Sequence, residues 1–158
     1  MTARRIGIIF NGATGELAQR QHLPALMALR DEGGLLLSDG TRLVPEIVLV
    51  GRDPQKLAAV AASTGARTVA SLDAALASPT ESLVFDAAPT GLRGDVLRRA
   101  IAAGKHVYAE KPVAGSTAEA LALHAAAQAA GVKAGTVQDK LFLPGFAALL
   151  GLRRAGFF

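Results

Sequence analysis

Lys111, between Glu110 and Pro112, is a side chain that could carry proton chemistry. A residue before proline is held extended, which fixes where its amine is presented. Such an amine can hydrogen-bond a substrate hydroxyl or carbonyl and give or take its proton as a hydride moves. Burial or a nearby cationic ring would bring its pKa toward a useful range. The plain alternative is a surface ion pair with Glu110. A second constellation is Asn11, Gly12, Ala13, Thr14 and Gly15, a tight turn between an apolar run and a helical stretch. Strand, glycine turn and helix aim backbone N–H groups and a helix N-terminus at a phosphate. Glycine keeps side chains out of the approach of a pyrophosphate. In a G-x-G-x-x-G register Phe10 holds the first place, and Gly12 and Gly15 match the second and third.

Two further sites fit the same ligand. Where an NAD site places an acid for the ribose hydroxyls, this chain has Gly51, Arg52 and Asp53. Gly51 leaves space and Arg52 offers a planar cation to a 2′-phosphate, which favours NADP over NAD. The alternative is a solvated Arg52 beside an Asp53 that only caps a helix. Ala87, Ala88, Pro89 and Thr90 are small enough for the nicotinamide half of a cofactor to lie across a strand end; a plain strand end is the alternative. His22, His106 and His124 have no metal-ligand spacing and are read as structural or surface residues. There is no cysteine, and no Ser-His-Asp arrangement is legible.

The elements that must position these residues are regular. The 158 residues are 51% hydrophobic, enough for one domain with a sizeable core. Ile6 to Phe10 is a first strand, and a helix from about Gly15 to Arg30 carries Leu17, Ala18, Leu26 and Leu29 on its apolar side. Pro24 predicts a kink or restart in it. Leu35–Leu37 and Arg42–Val44 form a small hairpin around Asp39–Gly40. Strands follow at 46–50, 67–70, 82–88, 106–109 and 133–137. Between them, helices are expected at 54–64, 71–76, 92–103 and 116–131, with a last one at 144–155. Asp53, Ser71 and Ser116 are N-caps, Ser116 with Glu119 at capping-box spacing. In the helix from Leu92, the residues Leu92, Val96, Leu97, Ala100 and Ile101 form the apolar face, and Arg93, Arg98 and Arg99 the opposite one. The alternation gives a doubly wound α/β fold, a mostly parallel Rossmann sheet with helices on both faces.

Net charge is +4, in scattered basic pairs without interleaved aromatics, so nucleic acid is not an expected partner. No apolar run reaches the roughly 20 residues of a membrane span. The N-terminal apolar run is too short for a signal peptide. A soluble cytoplasmic protein is expected.

The glycine turn together with Ala103 to Pro112, AGKHVYAEKP, resembles the Gfo/Idh/MocA family of oxidoreductases. Val137 to Pro144, VQDKLFLP, is similar to a subgroup of it. The resemblance implies NAD(P)-dependent oxidation or reduction of a hydroxyl or carbonyl on a polyhydroxylated, sugar-like or inositol-like small molecule. It implies that Lys111 is catalytic, and that Glu110, Lys111 and Gln138 join the turn as cofactor contacts. A cis bond at Lys111–Pro112 is also implied. This chain departs from the family pattern at Phe10 and at Thr90–Gly91–Leu92–Arg93. Residues 1–140 correspond to the cofactor domain. Residues 141–158 correspond to a helix leading to a second, substrate-selecting domain that also forms the family's usual dimer surface. The expectation is therefore a cofactor-binding part of a longer, homo-oligomeric enzyme, inactive alone. Two other readings compete with this one. A short-chain-dehydrogenase-like enzyme fits the NGATG turn, but Tyr108 lacks the required Tyr-x-x-x-Lys spacing. A non-enzymatic, redox-sensing nucleotide module suits the length of the chain.

Overall fold

The computed structural model describes residues 2–158. Its centre is strand β1 (Ala3–Asn11), which pairs in parallel with β3 (Arg42–Val50) on one side and β5 (Glu81–Asp86) on the other. Beyond β5 lie β6 (His106–Ala109) and β7 (Ala134–Thr136), both parallel. On the far side, β3 pairs in parallel with β4 (Arg67–Thr68), and antiparallel with β2 (Leu35–Leu36), which the Asp39–Gly40 turn brings back onto it. The order reverses at β1, as in a doubly wound sheet.

Alternation along β1 builds two cores. Ile9, with Val84 and Val107, packs against α3 (Leu72–Leu76), α4 (Thr90–Ala102) and α5 (Thr117–Ala129), burying Leu76, Val96, Leu97, Ala100, Ile101 and Leu123. Ile8 and Phe10, with Ile47, Leu49 and Phe85, face α1 (Leu23–Asp31) and α2 (Pro54–Thr64), burying Leu23, Leu57 and Val60. Each large aliphatic removed from water contributes about 1.5–3 kcal/mol, so β1 is held from both faces.

Local chemistry sets the helix ends. Asp53 accepts from the N–H groups of Gln55 and Lys56, Ser71 from Ala74, and Ser116 from Glu119. Glu119 reaches back to the Gly115 N–H, one residue before the cap. The first helical segment opens at Glu16 but widens into a π-turn over Ala18–His22, and restarts as α1 with Pro24 in its first turn. Several expected boundaries move. β1 and β3 each extend farther toward the N-terminus, β4 and β7 are shorter, and β5 ends at Asp86, so Ala87 and Ala88 lie beyond the strand. Leu17, expected on the apolar side, is exposed, and Leu23, directly after the π-turn, is buried. Helix α6 (Pro144–Arg154) follows a 3-10 turn and leaves Phe146, Leu149, Leu150 and Leu152 exposed. Among the described residues no helix is long and apolar enough to cross a membrane.

Glu81, at the start of β5, is 2% exposed. Its carboxylate accepts from the Thr80 hydroxyl and pairs with Arg67, while Lys105 donates to its backbone carbonyl. Burial alone would raise its carboxyl, but the Ser78 and Thr80 hydroxyls and the Arg67 charge outweigh this and hold it below the ordinary glutamate range. A carboxyl that binds its proton more weakly when folded adds stability above about pH 4.3 and loses it as the pH falls through the folded value. The Glu81→Gln variant is therefore expected to flatten the acid limb of a plot of melting temperature against pH. An acid limb of unchanged slope would refute this assignment.

Candidate cofactor and proton-transfer site

One row of paired residues crosses the carboxyl edge of the sheet: Val50, Asn11, Asp86, Ala109 and Thr136. Every site residue named from the sequence lies at this row or in the loops that follow it. Asn11 closes β1 and Gly12 to Gly15 follow it, Gly51 and Arg52 follow β3, and Ala88, Pro89 and Thr90 follow β5. Glu110 and Lys111 follow β6, and Gln138 follows β7. Carboxyl ends on either side of a reversal in strand order form the crevice in which open α/β sheets bind ligands.

The glycine turn is tied down by its own backbone. The N–H groups of Gly12 and Ala13 donate to the Val50 carbonyl at 3.1 and 3.2 Å, and that of Gly15 to Gly12 at 3.0 Å. Among the described residues the Thr14 N–H has no such partner. Gly12 adopts φ +82°, and a Cβ there would stand 2.6 Å from the Ala88 nitrogen and 2.7 Å from the Ala87 carbonyl carbon. Its lack of a side chain thus lets the turn pack on the loop after β5, a nearer reason than clearance for a pyrophosphate. At Gly15 a Cβ would meet only the Gly12 oxygen, at 3.2 Å, and at Gly51 it would press on Leu57 and Thr14, each at 3.2 Å. The turn, the open side of Gly15 and the start of the helical segment together fit the diphosphate of a dinucleotide.

Asp53 is the cap of α2, and Arg52 is exposed with no ion-pair partner among the described residues. Lys111 is exposed as well, and the Lys111–Pro112 bond is cis. The ion pair between Lys111 and Glu110 is not formed. The buried Glu110 carboxylate instead meets His22 Nε2 at 2.7 Å and accepts from the backbone N–H of Lys111 at 3.1 Å. His22 reaches it from the π-turn, its ring against Phe85 (4.9 Å between centroids), which stacks on Phe10 and meets Tyr108 edge-on. Gln138 is exposed, one residue past Val137, whose N–H donates to Ala109.

The largest departure from the sequence reading is Arg93. It is not on a solvent face with Arg98 and Arg99 but is 3% exposed, whereas Leu92, expected in the core, is 47% exposed. Arg93 Nε donates to Asp86 at 3.0 Å and Nη2 to the Ala88 carbonyl at 2.6 Å. Nη1 reaches the Pro112 carbonyl and, at 3.4 Å, the Thr90 hydroxyl. Asp86, fully buried, also accepts from Asn11 Nδ2 at 2.7 Å. Burial raises its carboxyl above the usual aspartate range, while the bonds from Asn11 and Arg93 and the Arg93 charge pull the other way without cancelling it. His22, Asp86 and Arg93 all escaped the sequence reading. The one available signal was an acid closing the apolar run Ser82 to Phe85.

Residues 4–137 match the model of the Gfo/Idh/MocA group, described as an oxidoreductase family with an NAD-binding Rossmann fold. The chain is 41% identical over 155 residues to a D-xylose dehydrogenase of Paenarthrobacter nicotinovorans, covering 97% of this chain and 40% of that protein. It is similar to the crystal structure of an NAD binding oxidoreductase from Klebsiella pneumoniae (TM-score 0.84, 27% identity), over 97% of this chain and 39% of the other. It is also similar to a biliverdin reductase from Synechocystis sp. PCC 6803 in complex with biliverdin and NADP+ (TM-score 0.66, 26% identity), over 87% and 38%. The chain thus spans about two fifths of the length of the curated relative it matches.

Proposed function

This chain belongs to the Gfo/Idh/MocA oxidoreductase family, and we propose that it is the cofactor-binding part, residues 1–140, of an NADP-dependent dehydrogenase acting on a sugar hydroxyl. The observation that carries this reading is the single row at the sheet edge from which all the site loops depart. A nicotinamide cofactor, when bound, supplies the hydride chemistry. The chain's own residues do the rest. Asn11 to Gly15 hold the diphosphate, and Arg52 pairs with the 2′-phosphate. The small loop Ala88–Thr90 leaves a path for the nicotinamide half. Lys111 moves the proton of the reacting oxygen, Glu110 fixes the Lys111 backbone, and Gln138 contacts the cofactor from the neighbouring loop. The 41% identity to a D-xylose dehydrogenase, over 40% of that protein, supports a sugar substrate.

The test is to supply the protein expressed from its native gene with NADP+ and a panel of aldoses including D-xylose, and to follow the reduced nicotinamide by its absorbance. Reduction with none of them, under conditions where NADPH binds, would overturn the sugar assignment. Cofactor choice is tested on this chain directly. NADPH is expected to bind more tightly than NADH, and Arg52→Ala to erase about tenfold of that preference, the worth of one charge-assisted pair. Equal affinities in the unaltered chain would remove Arg52 from the site.

A further inference from the structure

Arg93 stands where electrostatics alone would not put it. It is buried in the first turn of α4, at the positive end of the helix dipole. A guanidinium kept there needs compensation, and Asp86 supplies it at 3.0 Å. Three of the four remaining N–H donors go to the Ala88 carbonyl, the Thr90 hydroxyl and the Pro112 carbonyl. All lie in the two loops that the proposed function places beside the nicotinamide, and Pro112 is the residue directly after Lys111. Asp86 carries the clamp further, through Asn11 Nδ2 on one oxygen and through its own backbone carbonyl, which accepts from the Glu110 N–H at 2.8 Å. Lys111 is thereby bracketed, with Glu110 fixed before it and Pro112 fixed after it. Its own side chain stays exposed.

We propose that Arg93, anchored by Asp86, is the positioning residue of Lys111: its guanidinium ties the Pro112 carbonyl to the loop after β5, so that the Lys111 amine is aimed across the cofactor crevice. The catalytic meaning of this rests on the hydride-transfer reading above; the clamp itself does not. Lysine cannot replace Arg93, because an ammonium on a flexible stem does not span four acceptors in one plane as a guanidinium fork does.

The test uses Arg93→Lys and Arg93→Ala and reads Lys111 directly. Competitive acylation of the lysines, resolved by mass spectrometry over a range of pH, compares Lys111 with Lys56 and Lys140 in the same sample with and without NADPH. Both variants are expected to change the relative Lys111 profile and to lower kcat on the sugar by up to about 100-fold, as for a reacting group displaced by about 1 Å. KM and the affinity for NADPH should stay within about threefold, the pattern of an interaction lost at the reacting step alone. A Lys111 profile and kcat that do not move would overturn the proposal. So would a loss of kcat that tracks a matching loss of NADPH affinity and melting temperature, which a purely structural ion pair would give. Should Arg93→Ala not fold, Arg93→Lys carries the same readouts. The two readings fail separately. If the unaltered protein transfers no hydride, the function falls, while a shifted Lys111 profile in the Arg93 variants still upholds the clamp.

Discussion

Lys111→Ala is expected to lower turnover by about 10²–10⁴, the usual worth of a positioned general acid or base, with NADPH affinity nearly unchanged. The reason lies in how the structure treats the two charges at this loop. Glu110, the obvious partner for a neighbouring ammonium, is turned inward to His22 and to the Lys111 backbone N–H. The Lys111 side chain is therefore left exposed, with no carboxylate paired to it among the described residues. Arginine at this position would keep the charge but give up no proton, so Lys111→Arg should fall with Lys111→Ala rather than with the unaltered protein. Steady-state rates on an aldose, beside NADPH titrations, decide the matter. Unchanged turnover in Lys111→Ala would remove the amine from the mechanism.

Gly12→Ala should be the most disruptive single-methyl change in the cofactor turn. At φ +82° an L-residue costs about 1–2 kcal/mol in conformation alone. The added Cβ would also press within 3 Å of backbone atoms of Ala87 and Ala88, which cannot step aside as a flexible side chain would. Overpacking of this kind adds about 1–3 kcal/mol. The melting temperature should fall by about 5–15 °C for a chain of this length, and NADPH binding should fail because the turn moves. Gly33→Ala is the control. It has nearly the same φ, +83°, but nothing within 4 Å of its added Cβ, so it pays only the conformational part. Equal losses in the two variants would show that packing of the turn on the β5 loop contributes nothing.

What the sequence discloses follows the range of the forces involved. Asp53, Ser71 and Ser116 are legible as caps because a cap bonds to N–H groups two or three residues away. The parallel sheet is legible in runs such as Ile47 to Val50, whose unbroken apolar character fits burial on both faces. Arg93 is not legible, because helical periodicity sorts residues by a single inside and outside. The first turn of α4 packs on a loop rather than on the core, and its partner Pro112 is 19 residues on. His22 meets Glu110 across 88 residues, so its place beside the site is a product of the assembled sheet. The π-turn that aims His22 has no sequence mark comparable to the proline that ends it.

The central place of β1 has a kinetic consequence. During synthesis it leaves the ribosome before either neighbour, and its partners start at Arg42 and Glu81. At about 5–20 residues per second, Ile8, Ile9 and Phe10 remain without a second pairing edge for several seconds. The strand with neighbours on both sides at the centre of the finished sheet is thus the one longest without them while it is made. Parallel pairing across such separations is slow to close, so the nascent chain should engage holding chaperones through β1 until β5 has emerged.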